Sequence, residues 1–248
     1  MQFLAKFLKT NMAKIQNRVT DISLLEKKIG ITFTDQDLFT HALVHRSYLN
    51  EHKDFRFTSN EKLEFLGDSV LSLVTSVYLY TKYTEYQEGD YTDMKAAIVN
   101  TTSLYEAAKG IHLGEYVYLS KGEQDNNGRD NTSILADAFE ALIGVIYLQF
   151  GFDTAAEFIR KFLFDGNLDR IVEEKLYLPA KNILQEHYQE KFKKLPVYEI
   201  LHEDGPEHDK TYEIGVYDGK NLLARGEGKS KKQAEESAAR KALQELGI

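Results

Sequence analysis

The 248-residue sequence has no cysteine and no tryptophan, and only 3 Pro and 3 Met. Without cysteine there is no disulfide, thiolate zinc site, iron–sulfur cluster or cysteine nucleophile, so any metal must sit on carboxylate or imidazole. Long apolar runs are missing too. The longest, ALIGVIYLQFGF from Ala141 to Phe152, is well short of the roughly 20 residues of a membrane helix, and no membrane span is expected. At the N-terminus, MQFLAKFLKTNMAKIQNRV breaks its apolar residues with Lys6 and Lys9, unlike the continuous core of a secretory signal. A cytoplasmic protein is therefore expected. Residues 1–20 read either as an amphipathic helix or as a terminal extension.

Apolar residues are plentiful: 42% of the chain is hydrophobic, with 14 Phe and 15 Tyr. That is enough for a packed core and excludes a disordered or low-complexity chain. The formal net charge of −8 argues at first against nucleic acid. Its distribution weakens the argument, because residues 1–177 hold 19 Lys and Arg against 26 Asp and Glu, while 178–248 hold 12 against 13. The second part is nearly neutral, and Lys229, Lys231 and Lys232 cluster within it.

Up to about residue 176 apolar residues recur at helical spacing, as in Leu63, Leu66, Val70, Leu73, Val74 and Val77. From Leu195 the period changes. VYEIL (197–201), TYEIGVY (211–217) and NLLARGEG (221–228) read as three antiparallel strands, flanked by helix candidates at Ala180–Lys193 and Lys231–Leu246. The expected fold is an all-α domain followed by a small α+β domain of order α-β-β-β-α. The expected boundaries are 1–20 for the extension, 21–172 for the first domain, 173–178 for a linker and 179–248 for the second domain.

The segment TSNEKLEFLGD (58–68) suggests a helix with Thr58 as N-cap and Glu61 completing a capping box. Glu61, Glu64 and Asp68 then share one stripe. Gly67 lies beside it, and a glycine inside a helix points to a close approach by another backbone or a ligand. A second helix from Ser133 to Tyr147 is strongly apolar yet carries Asp137 and Glu140. Read alone, such a pair is a solvated rim. Surrounded by Leu135, Ala136, Ala138, Phe139, Ala141 and Leu142, however, both acids call for neutralisation by protons, bases or a cation. If the two helices face each other, Glu64, Asp68, Asp137 and Glu140 form an all-oxygen cluster suited to Mg²⁺, with Mn²⁺ as a substitute. Crowding should raise at least one of their pKa values. The rival pair, His41 and His45 at i, i+4, lacks a third ligand and reads as structural. The sequons at Asn100 and Asn131 carry little weight.

NEKLEFLGDSVL (60–71) resembles the signature of the ribonuclease III family of double-stranded-RNA endonucleases. HALVHRSY (41–48), SKGE (120–123) and SILADAFEALIGVIYL (133–148) are similar to family blocks in the same order, and the C-terminal part resembles a double-stranded-RNA-binding domain. The resemblance covers the chain from about residue 21 onward and is to the short bacterial form. It implies catalytic, metal-binding roles for Glu64, Asp68, Asp137 and Glu140, with Glu61 in support. Phe65, by itself an ordinary core residue, is implied at the interface of a homodimer. Around Arg129 the sequence departs from the family, with Asn126-Asn127 where many members have glycine, and no RNA contact is assigned to that arginine.

In the second domain, LQEHYQEK (184–191) resembles the helix that enters a minor groove, with Gln185 and Glu186 as hydroxyl partners. GPEH (205–208) resembles the loop that reaches the next groove, with His208 as the candidate. GKSKKQAEESAA (228–239) resembles the phosphate-binding helix start, carrying Lys229, Lys231 and Lys232. Ser230 and Gln233 form another candidate capping box. The implied protein is a Mg²⁺-dependent, homodimeric endoribonuclease needing no organic cofactor. It would leave 5′-phosphate and 3′-hydroxyl ends with short 3′ overhangs, on substrates such as ribosomal precursor RNA and structured mRNA. The alternatives are a duplex-RNA-binding protein that uses its nuclease domain to dimerise, and an RNA-independent scaffold.

Overall fold

The computed structural model describes residues 21–206 and 210–248, and the chain divides between Glu174 and Lys175 into two compact units. The first is helical: α1 (Ser23–Ile29), α2 (Gln36–Ala42), α3 (Arg46–Glu51), α4 (Glu61–Lys82), α5 (Glu88–Ile98), α6 (Thr101–Gly110), α7 (Lys121–Asp125), α8 (Thr132–Ile159) and α9 (Leu168–Glu173). Among its described residues, β pairing is limited to one isolated bridge between Val44 and Tyr118.

The centre of this unit is the crossing of α4 and α8. Leu135, Phe139, Leu142, Ile143 and Ile146 of α8 are buried, as are Leu63, Leu71 and Val74 of α4. Two glycines set how closely the helices approach. A Cβ on Gly67 would lie 1.8 Å from the Glu140 carbonyl oxygen, and one on Gly144 would lie 2.4 Å from that of Leu63. The close approach expected at Gly67 is thus another helix backbone. Residues 132–164 are long and apolar enough to cross a bilayer by length and composition, but 61% of that stretch's most apolar window is packed inside the protein, and the helix breaks at Gly151 (φ 82°). Both sequon asparagines are helix caps: Asn100 Oδ1 accepts from Ser103 N, and Asn131 Oδ1 accepts from Ser133 N and Ile134 N.

Two local expectations fail here. No Thr58 cap forms, because α4 starts at Glu61 and Thr58 Oγ1 is paired with His41 Nε2 at 3.1 Å. The buried Asn60 precedes α4 instead, tied by its Nδ2 to the Ala42 carbonyl. Nor do His41 and His45 share a helical face. α2 ends at Ala42, and His45 is the N-cap of α3.

The second unit comprises α10 (Ala180–Phe192), β1 (Val197–Asp204), β2 (Thr211–Asp218), β3 (Asn221–Gly228) and α11 (Lys231–Leu246). Its sheet is antiparallel in the order β1-β2-β3, with Tyr198 opposite Val216 and Val216 opposite Ala224. Both helices pack on one face, burying Leu184, Tyr188, Val216, Ala224, Ala238, Ala239 and Ala242 together. The alanine stripe lets α11 lie close to β3, where a Cβ on Gly226 would come within 2.1 Å of Ala238 N. Glu236 on α11 reaches across to the start of α10, accepting from Ala180 N (2.6 Å) and Lys181 N (3.3 Å). Those amides have no partner within α10 itself.

Candidate metal centre and RNA-binding surface

The α4–α8 crossing brings carboxylates together. Glu64, Asp137 and Glu140 each offer an oxygen, and these oxygens lie within 4.8 Å of one another. Two ligand oxygens opposite each other on an Mg²⁺ stand about 4.2 Å apart, so the set fits a small cation with little adjustment. The donors are all carboxylate oxygen, which suits Mg²⁺ or Mn²⁺ and not a soft metal. Asp68 and Glu61 are exposed and lie outside this set. Asp68 still acts on it by charge, since it raises the pKa of both Glu140 and Glu64.

The electrostatics show how unfavourable this grouping is without a cation. Burial, and then the charges of Asp68, Glu64 and Asp137, push the Glu140 carboxyl up to about 8. Burial, then Asp137, Glu61 and Asp68, raise Glu64, partly opposed by Arg46. Asp137 is raised by burial as well, against the pull of His45 and Arg46. The expectation of at least one raised carboxyl is met threefold, and at neutral pH Glu140 holds a proton unless a cation replaces it.

Beside the acids is a cleft of about 550 Å³, lined among others by His45, Arg46, Glu61, Glu64, Glu123 and Asp137. Sequence reasoning assigned nothing to Arg46 or Glu123. The available signals were the blocks themselves, Arg46 lying in HALVHRSY and Glu123 in SKGE. His45 Nδ1 accepts from Ser47 N (3.3 Å) and pairs with Ser47 Oγ (2.8 Å), which leaves Nε2 as the protonated nitrogen of the neutral ring. Burial lowers the His45 pKa and favours that neutral form. Arg129 is structural: its Nη1 donates to the carbonyls of Gly114 (2.6 Å) and Val117 (3.2 Å). Phe65 is not a core residue. It is 76% exposed, and Leu73, Val77 and Tyr80 are exposed on the same helix.

In the second unit Gln185 and Glu186 are exposed on α10. Ser230 caps α11 by accepting from Gln233 N at 3.2 Å, but the reciprocal half of the expected box is displaced by one residue, Gln233 Oε1 accepting from Lys229 N. The exposed Lys231 stands 3.8 Å from Glu203, whereas Lys232 makes no ion pair among the described residues. His208, the candidate in the β1–β2 loop, lies outside the described residues, as does the extension 1–20.

Comparison with known families gives the same division. A family model described as ribonuclease-III-like matches residues 35–166. The chain belongs to the ribonuclease III family. A second model, the double-stranded RNA binding motif, matches residues 180–246. Ribonuclease 3 of Borreliella burgdorferi is 42% identical over 229 residues, covering 92% of this chain and 93% of that protein. Ribonuclease 3 of Chloroflexus aurantiacus is 44% identical over 221 residues, covering 88% and 89%. Among solved structures, the ribonuclease III nuclease domain of Campylobacter jejuni superposes with a TM-score of 0.55 at 37% identity, over 59% of this chain and 99% of that domain. This member of the ribonuclease III family is therefore an endoribonuclease hydrolase, and its second unit is a double-stranded-RNA-binding domain. The resemblance expected from the sequence blocks is correct.

Proposed function

We propose that this ribonuclease hydrolyses phosphodiester bonds in both strands of duplex RNA, using Mg²⁺ held by Glu64, Asp137, Glu140 and Asp68, with Glu61 in support. The observation that carries this reading is the three-carboxylate set with Glu140 raised to about 8, an arrangement that requires a positive partner. A bound divalent ion would supply polarisation of the phosphoryl group and acidification of a water. The chain's own residues do the rest. Glu64 on α4 and Asp137 and Glu140 on α8 are fixed relative to one another by the Gly67–Gly144 crossing. Glu140 would give up its proton to hold a cation, so metal binding would release protons near neutrality.

Domain roles follow: residues 21–172 form the nuclease, 173–178 a linker and 179–248 the binding domain, with Gln185, Glu186, His208, Lys229, Lys231 and Lys232 on the RNA. The exposed Phe65 supports a homodimer in which each subunit supplies one site; the structure of the Campylobacter jejuni nuclease domain describes a region involved in its dimer formation. Products with 5′-phosphate and 3′-hydroxyl ends and short 3′ overhangs, substrates among ribosomal precursors and structured mRNAs, and a cytoplasmic location complete the reading.

The test is incubation of end-labelled duplex RNA and its separate strands with the protein, in Mg²⁺ and in EDTA. Metal-dependent cutting of the duplex alone is expected. Glu140→Gln should lower cleavage on the order of 10²–10³-fold while leaving duplex binding intact. Wild type that binds duplex tightly and cuts nothing in Mg²⁺ would instead establish the non-cleaving, dimeric binding protein.

A further inference from the structure

One side chain of the cleft is not explained by metal binding. Arg46 is the sole lysine or arginine among the residues lining it, and it is surrounded by the negative charge of Glu61, Glu64 and Asp137. Its side chain is 74% exposed. The 3.7 Å approach of Nη1 to Glu61 Oε1 is its one ion pair among the described residues and is too long for a hydrogen bond. Arg129, by contrast, has Nη1 bound to two backbone carbonyls. Arg46 therefore keeps its donors available at the rim of an acidic cleft. Glu61 does not depend on it for position, because Glu61 Oε2 accepts from Ser59 Oγ at 2.6 Å. The backbone of Arg46 is anchored in turn, since it follows His45, the capped start of α3.

An RNA strand approaching these carboxylates meets like charge before any of its phosphates reaches a metal. A guanidinium with free donors offsets that repulsion, and its planar fork matches two oxygens of one phosphate. We propose that Arg46 is a phosphate-binding residue of the active site, exchanging Glu61 for the non-bridging oxygens of a backbone phosphate on the strand being cut. The proposal rests on the endonuclease reading above.

The test compares wild type with Arg46→Ala, Arg46→Lys and Glu61→Gln. Duplex binding is measured in EDTA as a function of salt, and single-turnover cleavage is measured in Mg²⁺. Arg46→Ala should cut about 10- to 100-fold more slowly at sub-saturating protein, with an unchanged Tm, and the slope of log affinity against log salt should fall by about one. Arg46→Lys should recover part of the loss. Glu61→Gln, which releases the arginine, should bind at least as tightly as wild type. A neutral methylphosphonate placed at each position near the cut should slow wild type at one position and have no further effect there in Arg46→Ala. If Arg46→Ala and Glu61→Gln lose binding equally and the double variant loses no more, Arg46 only steadies Glu61 and the proposal fails. It also fails if the methylphosphonate losses add to that of Arg46→Ala at every position. A wild type that never cuts duplex removes the endonuclease reading along with this one, whereas a cutting wild type matched by Arg46→Ala removes only this one.

Discussion

Both units use glycine to bring a helix against another backbone, and each close approach serves charges of opposite sign. In the first, Gly67 and Gly144 let α4 and α8 cross closely enough to gather Glu64, Asp137 and Glu140. In the second, Gly226 and Gly228 let α11 settle on β3, presenting a helix start that carries Lys231 and Lys232. Neither arrangement is electrostatically favourable in the free protein: the acids repel one another, and first-turn lysines oppose the helix dipole. On the function proposed here, each is a place where the fold holds like charges near one another for a ligand of the other sign.

The comparison breaks most visibly at the glycines. In Gly67→Ala the new methyl meets the Glu140 backbone, so destabilisation at or above the top of the usual overpacking range, about 3 kcal/mol, is expected, with loss of cleavage. Gly226→Ala should instead destabilise only the second unit and weaken duplex binding. Calorimetry of each variant beside a cleavage assay tests this, and equal loss of the first unit's transition in both would show that the units are not separable.

A smaller effect separates the units by pH. The raised carboxyl of Glu140 means that the unfolded chain loses that proton first. Its stabilising contribution is complete below about pH 4.5 and disappears as pH rises through about 8. Without metal, the first unit's Tm should fall across that window, and saturating Mg²⁺ should flatten or reverse the slope. In the second unit Glu203 is held low, first by its hydrogen bond from Lys210, so its contribution is present above the ordinary glutamate value and is lost as pH falls. Melting curves with EDTA or Mg²⁺ from pH 3 to 9 would test these opposite slopes, the second unit's below about pH 4.5 and the first unit's above it.

The smallest effect is at Lys232. Lys232→Ala should weaken duplex binding and reduce its salt slope by about one, with Tm unchanged or slightly higher because a charge opposing the helix dipole is gone. A clear drop in Tm with normal binding would contradict the assignment of that helix start to phosphate.

Much of this was legible in the sequence. Carboxylates at i and i+3 on an apolar helix are costly enough to stand out, and Gly67 announced the close crossing. The strands and flanking helices of the second unit could be read from the change of period near Leu195. What could not be read depended on the third dimension. The Thr58 cap failed because His41, 17 residues earlier, takes that hydroxyl. Spacing along α4 placed Asp68 and Glu64 on one stripe, but of the two only Glu64 belongs to the tightest oxygen set. Arg46 was overlooked because no sequence period links it to Glu61, and Phe65 reads as core until the face of α4 is known.

The bridge from Glu236 to the amides of Ala180 and Lys181 spans more than fifty residues. During synthesis, α10 emerges first and waits through all three strands for the carboxylate that completes its opening turn. The first helix of the RNA-binding unit is thus completed by its last, and the two share one buried core. A premature stop before Glu236 would remove that cap and uncover β3 together, leaving a chain whose nuclease unit is fully made and whose means of holding duplex RNA is not.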